Sequence, residues 1–183
     1  MKVERATPEG LESAQADLRR LIRDAVEDGA SIGFLHPVTD EELDVFLDGV
    51  RADVERGARI VLLARDGEAV IGTVQLGFAE RANSLHRAEV QKLIVHTSAR
   101  GRGIGTRLMW EIESAALASR RTLLVLDTLE GSDAERLYRA LGWREAGRIP
   151  EYAGWPDGRL DPTVVFYKLL PGRRLSTGAT ASG

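Results

Sequence analysis

Two hydrophobic periods divide the chain. Near the start, Leu11, Ala14, Leu18, Leu21, Ile22, Ala25 and Val26 recur at helical spacing. Thr7 followed by Pro8 is a helix-start signal, a hydroxyl cap before proline at the first helical position. The pattern predicts one long amphipathic helix to about Asp28, preceded by a short strand over Lys2–Ala6 and followed by a loop from Gly29 to Pro37. Leu43, Phe46, Leu47, Val50 and Val54 predict a second helix, opened by a Thr39/Glu42 capping box and ended by Gly57. The period then shortens. Arg59–Ala64 reads as a strand, Asp66-Gly67 as a tight turn, and Val70, Gly72, Val74, Leu76 and Phe78 alternate with Ile71, Thr73 and Gln75 in a returning antiparallel strand.

After a polar connection at Arg81–Ser84, a further strand begins near His86 and runs to Val95. Ile104, Leu108, Ile112, Ala115 and Ala116 place a helix beyond it, ending near Arg120. The continuous apolar run Leu123–Leu126 is reached by a strand–helix–strand crossover, so it is expected to lie parallel to the preceding strand, closed by Asp127-Thr128. Ser132 and Glu135 form another capping box for a short helix carrying Ala134, Leu137, Tyr138 and Leu141, stopped by Gly142. Trp143–Ile149 reads as a strand, Pro150–Pro162 as a long loop and Thr163–Leu170 as the last strand. Residues 171–183, rich in Gly, Ser, Thr and Ala without periodicity, predict a disordered tail. No repeat is visible, so residues 1–170 are expected to form a single domain.

Composition narrows the chemistry. With no cysteine, a disulfide framework, a thiolate metal site and a cysteine nucleophile are excluded. His36, His86 and His96 have no metal spacing, and no metal is expected. The N-terminus lacks an apolar signal region and no apolar run is long enough for a membrane span, which predicts a cytoplasmic protein without a membrane partner. A net charge of −3 argues against general nucleic-acid binding and would not repel a cationic substrate.

The most informative stretch is Val90–Arg107: apolar strand, polar glycine-rich turn, helix start. Gly101, Gly103 and Gly105 let a backbone approach a ligand. The following helix N-terminus offers unpaired N–H groups and partial positive charge, and Arg100 and Arg102 add cations suited to phosphate. A P-loop would need a lysine after the last glycine, and none follows Gly105. A dinucleotide fingerprint would need its third glycine one position later, and too little chain follows for a second mononucleotide half.

The run Arg100-Gly101-Arg102-Gly103-Ile104-Gly105 fits Arg-x-x-Gly-x-Gly and resembles the acetyl-CoA pyrophosphate loop of the GNAT family of N-acetyltransferases. Ala134-x-x-Leu137-Tyr138 and Leu141-Gly142-Trp143 resemble that family's fourth-helix segment, and the likeness in element order spans roughly Val3 to Leu170. Glu89-Val90-Gln91-Lys92-Leu93 with Leu126-Asp127-Thr128 looks most like the tabtoxin-resistance type. The resemblance implies an α+β fold, a mixed and largely antiparallel sheet with helices on both faces and splayed fourth and fifth strands. It implies that backbone groups of Leu93, Ile94 and Val95, near a bulge, hold the pantetheine arm, and that N–H groups from Arg100, Gly101, Arg102, Gly103, Ile104, Gly105 and Thr106 hold the pyrophosphate.

The implied activity is transfer of acetyl from acetyl-CoA to a primary amine of a small molecule, such as an amino-acid-like antibiotic or toxin, by direct attack in a ternary complex. An alkyl amine with a pKa of ~10.4 is nearly all charged at neutral pH, so a base or a desolvating site is required. Tyr138 stands where the family has its proton donor, against the plain reading of a core tyrosine. Glu89 and Asp127 are candidate bases or ammonium ligands, against readings as an edge salt bridge and a turn cap. The asparagine common seven positions before the helix tyrosine is here Gly131, leaving Ser132 as a substitute contact. Lys92 alternates away from Glu89 and reads as a satisfied or solvated strand residue; His96 reads as a surface or capping histidine. Tyr152, Trp155, Asp157 and Asp161 either bind a cationic substrate or pin their loop to the body. Homodimerisation is a family-level expectation. The alternatives are a non-catalytic acyl-CoA-binding or sensing module, a protein N-terminal acetyltransferase, and a nicotinamide or nucleotide enzyme.

Overall fold

Seven strands share one hydrogen-bonded sheet in the computed structural model, which describes residues 1–171. From residue 172 onward the expected disordered tail lies outside the described residues. The strands are β1 (Lys2–Arg5), β2 (Arg59–Asp66), β3 (Ala69–Phe78), β4 (Arg87–Val95), β5 (Leu123–Leu129), β6 (Arg144–Gly154) and β7 (Leu160–Leu169). Their order is β1-β2-β3-β4-β5-β7-β6. All neighbours are antiparallel except β4 and β5, which are parallel as the helical crossover requires. The helices are α1 (Pro8–Ser13), α2 (Gln15–Glu27), α3 (Asp40–Glu55), α4 (Ile104–Ala118) and α5 (Asp133–Ala140). The fold is the mixed α+β arrangement expected from the sequence.

The capping signals act as read at α3 and by half at α5, where the Glu135 carboxylate accepts from the Gly131 N–H and not from that of Ser132. Thr39 and Glu42 exchange both bonds of a capping box at the start of α3. The Ser132 hydroxyl accepts from the Glu135 N–H at 3.1 Å at the start of α5. The expected single long helix is in fact two, α1 and α2, joined at Ala14. Gly10 lies within the first, and the Ser13 hydroxyl bonds back to the Glu9 carbonyl at 2.9 Å, a contact that bends helices.

The sheet carries a core on each face. On one side Leu21, Ile22, Leu43, Leu47 and Val50 of α2 and α3 close on Val61, Leu63 and Val70. On the other, Ile104, Leu108, Met109 and Ile112 of α4 pack with Tyr138 of α5 on Ile60, Val74, Leu76, Leu124 and Phe166. Burying each such side chain is worth about 1.5–3 kcal/mol, which fixes both helix layers to the sheet.

Two irregularities in the sheet matter. In β4, Ile94 pairs with Thr73 and Gln91 with Gln75, so Lys92 and Leu93 together face the single residue Val74. This bulge reverses the strand's facing: Ala88 and Val90 enter the α4 core, but beyond it Ile94 enters the α2–α3 core. β5 pairs with β4 only at Arg87↔Leu123, Ala88↔Leu124 and Glu89↔Val125, then follows β7 out to Leu129↔Thr163. The two strands therefore splay beyond Glu89, as the family resemblance implied.

The second irregularity corrects the reading of 150–162 as a loop. β6 continues to Gly154 through a register shift between Ile149 and Ala153, with Glu151 at φ 53°. The turn is only residues 155–159, closed by the Trp155 N–H to the Arg159 carbonyl at 2.9 Å. β6 is the sheet's outer edge and exposed along most of its length, so it has no apolar alternation to betray it, and Pro150 sits in the irregular stretch where no ladder bond is needed.

Gly72 of β3 lies where α4 meets the sheet behind the bulge. A Cβ there would approach the Ile94 carbonyl oxygen to 3.1 Å and Leu108 Cδ1 to 3.2 Å. Gly72→Ala is expected to destabilise the fold by about 1–3 kcal/mol through overpacking, read as a lower urea midpoint at unchanged slope.

Candidate active site

The parting of β4 and β5 opens a groove of about 580 Å³. Its floor is Leu93, Ile94 and Val95, and its rim is Arg100, Gly101, Gly103, Ile104, Gly105 and Thr106. Asp28 of the α2 end and Leu137 of α5 form the sides. Gly101 and Gly103 take φ of 74° and 75°, left-handed values that disfavour other residues. Gly103 is the N-cap of α4 and, being a glycine, has no capping side chain, which leaves the first N–H groups of the helix open toward the groove. The two arginines part company. Arg100 is held by the Asp28 carboxylate and donates from Nε to the Val95 carbonyl at 3.2 Å. Arg102 does not line the groove; its guanidinium donates to Asp66 Oδ2 at 2.9 Å, at the end of β2. The ligand role expected for the Arg102 side chain is therefore not supported by its position.

The turn is anchored from the front of the chain. Asp24 of α2 accepts from the Thr97 N–H at 2.8 Å and from its hydroxyl at 2.6 Å. His96 Nδ1 lies 2.9 Å from the Ser98 hydroxyl and accepts from its N–H at 3.3 Å, so His96 caps the turn, as expected of it.

A second cavity, about 660 Å³, adjoins the groove and shares Leu93, Leu129, Ser132 and Ala134 with it. Here Glu89, Asp127 and Tyr138 converge from β4, β5 and α5. Tyr138 is buried between Trp143 and Phe166, with ring centroids 6.0 and 6.2 Å away. Among the described residues its hydroxyl has no hydrogen-bond partner, and burial, followed by the charge of Asp127, pushes its phenol well above the usual range. The phenol thus stays protonated through the neutral range. Asp127 and Glu89 are exposed to the cavity. The Thr163 hydroxyl stands 3.0 Å from Asp127 Oδ2 and 2.8 Å from the Thr128 carbonyl, fixing the end of β5.

The late residues separate by role. Tyr152 lines the cavity, its phenol raised first by the charge of Asp127. Trp155 donates to Asp161 at 2.8 Å and lies under the Arg159 guanidinium at 4.7 Å, while Asp157 accepts from the Arg159 N–H at 3.0 Å. Those three pin the hairpin. Ser132 caps α5 and also lines both cavities; the Gly131 N–H, in the asparagine's place, donates to Glu135 at 2.6 Å. Among the described residues no cluster of three His, Asp or Glu is placed to hold a metal ion, and no helix is long and apolar enough to cross a membrane.

Lys92 is the residue that sequence reading missed. Strict alternation would send it into the α4 core face with Ala88 and Val90. The bulge instead gives it φ of 50° and turns its side chain into the second cavity, with Nζ 5.9 Å from the ring centre of Phe34 and 5.6 Å from that of Phe46. The signal available was the apolar triplet Leu93-Ile94-Val95, which breaks the alternation of the preceding residues.

A profile of the Acetyltransferase (GNAT) family matches residues 16–143. Among solved structures, the chain is similar to a ribosomal-protein-alanine N-acetyltransferase from Brucella melitensis, at 25% identity over 93% of this chain and 100% of that one, with a TM-score of 0.76. It is also similar to a phosphinothricin acetyltransferase from Sinorhizobium meliloti in complex with AcCoA, at 21% identity over 92% and 88% of the two chains, TM-score 0.73. An aminoglycoside 6'-acetyltransferase type Ii matches at 19% identity over 94% and 99%, TM-score 0.70. The latter two likenesses are of fold.

Asp24→Ala would leave the Thr97 N–H and hydroxyl without their acceptor. It is expected to cost about 1–3 kcal/mol of stability, measured by urea unfolding.

Proposed function

Because the chain belongs to the Acetyltransferase (GNAT) family, we propose that residues 1–170 act as one unit that moves an acetyl group from acetyl-CoA to the primary amine of a small molecule. One observation carries this reading: the glycine-rimmed groove and the acidic cavity meet where β4 and β5 part, so a ligand lying along one reaches the other. The groove suits CoA. Its glycines leave space that side chains would fill, α4 points open N–H groups into it, and Leu93–Val95 lie beyond the last β4–β5 pair, with that strand edge free to bond an extended arm. Acetyl-CoA, when bound, supplies the activated acyl group.

The chain's own residues then divide the work. Asp127 and Glu89 hold the incoming ammonium and take its proton, directly or through water. Backbone N–H groups at the β4 bulge face the acyl oxygen. Tyr138, protonated throughout the neutral range, gives its proton to the departing thiolate. The acceptor cavity is walled by Gly29–Leu35 on one side and Tyr152–Gly154 on the other, which favours a small molecule over a polypeptide terminus. The Sinorhizobium meliloti neighbour, named for phosphinothricin, acts on a compact acceptor and supports the same choice.

Tyr138→Phe is expected to lower kcat by about 10²–10⁴-fold with acetyl-CoA affinity retained, followed by release of free thiol over a panel of amines and by calorimetry. Unchanged turnover would remove Tyr138 from the mechanism. CoA binding without turnover in the wild type would favour a non-catalytic sensing module.

A further inference from the structure

The acceptor cavity contains an ammonium whose purpose the acetyl transfer does not explain. Lys92 lines it as its single cationic side chain among the described residues, together with the carboxylates of Glu89 and Asp127. Its Nζ has neither a carboxylate within 4.0 Å nor a hydrogen-bond acceptor among those residues; its neighbours are the rings of Phe34 and Phe46. The nearby Arg59, by contrast, is fully engaged, with Asp53 at 3.0 Å and Gln75 and Gln91 each at 2.8 Å. A half-buried cation without an anion is costly. So is its backbone: a lysine at φ 50° is strained, and such strain persists only where the surroundings impose it. The bulge imposes it here, and the result is a positive charge aimed into the cavity. Burial and the charge of Arg59 press the Lys92 ammonium below its usual range, against the pull of Asp127 and Glu89.

We propose that Lys92 binds the carboxylate of the acceptor, so that the acceptor is an amino acid or a close analogue. Its ammonium faces Asp127 and Glu89, and its acid group faces Lys92. A cation and two carboxylates lining one cavity match a zwitterion and reject a simple amine, which would leave Lys92 unpaired. The aromatic floor of Phe34 and Phe46, ring centroids 5.2 Å apart and nearly perpendicular, holds the lysine in place without neutralising it. This assignment rests on the acetyltransferase reading above.

The test compares L-amino acids with their carboxamides as acceptors, with spermidine as an amine lacking any acid. In the wild type the acid is expected to exceed its carboxamide by about ten- to hundredfold in kcat/KM, the range of a charge-assisted hydrogen bond. Lys92→Met is expected to raise KM for the acid by the same factor, with kcat and the carboxamide rate little changed. Lys92→Arg, which keeps the charge, should restore much of the preference. Carboxamide used as well as acid by the wild type would overturn the proposal, as would Lys92→Met slowing both acceptors equally. Acetylation of spermidine alone would overturn it while leaving the acetyltransferase reading intact. Acetyl-CoA binding with no acceptor in the panel consumed would overturn that reading, and the proposal with it.

Discussion

The hydrogen-bond ladder between two parallel strands runs for three residue pairs and then stops. Everything else in the molecule is arranged around that interruption. Beyond Glu89 β5 continues along β7 alone, while β4 is bulged between Gln91 and Ile94. An unpaired backbone edge inside a folded protein is ordinarily a liability, since each lost partner costs more than a formed bond returns. Here the edge faces a groove, and the proposed ligand is one that can complete the ladder. Catalytic opportunity and structural cost are the same feature.

The front of the chain, which has no site residue of its own in the sequence reading, controls the turn that follows the opening. Asp24 and Asp28, one helical turn apart on α2, grip Thr97 and Arg100. Their spacing places both carboxylates on one helix face, so the anion-binding turn inherits its position from the packing of α2 against β3 and β4. Arg100 thereby serves two masters: its charge remains at the groove while its geometry is set by a carboxylate. An anion arriving there meets a cation already oriented but partly neutralised. Backbone N–H groups and the dipole of α4 must then supply much of the attraction.

Most of the architecture was legible because it follows from local rules. Thr39 with Glu42, Ser132 with Glu135, and the crossover from β4 to β5 each imply their structure without long-range information. The departures all involve strands whose facing is set by partners. The apolar triplet Leu93-Ile94-Val95 shows locally that the alternation breaks, but which side chain is displaced depends on how β4 registers against Val74 on another strand. The edge strand β6 hid because an edge exposed on both faces carries no periodic signature, and Pro150 and Gly154 spoke for a loop. At the site the same division holds. The glycine turn and Tyr138 were readable as motif and spacing; the separation of Arg102 from the groove and the aromatic seat of Lys92 depend on contacts made across the fold.

The bulge has a further consequence for how such a site can change. Between Gln91 and Ile94 the fourth strand is one residue longer than the strand it pairs with. Removing that residue would restore a regular ladder, with Ile94 still on Thr73 and Val95 on Gly72, and would leave no extra position to turn a side chain into the cavity. The arrangement of lysine, carboxylates and free strand edge is therefore stored as a count of residues, not in any one side chain. Replacing side chains can retune the acceptor by small steps. Deleting the extra residue has no small step available: it removes the position itself.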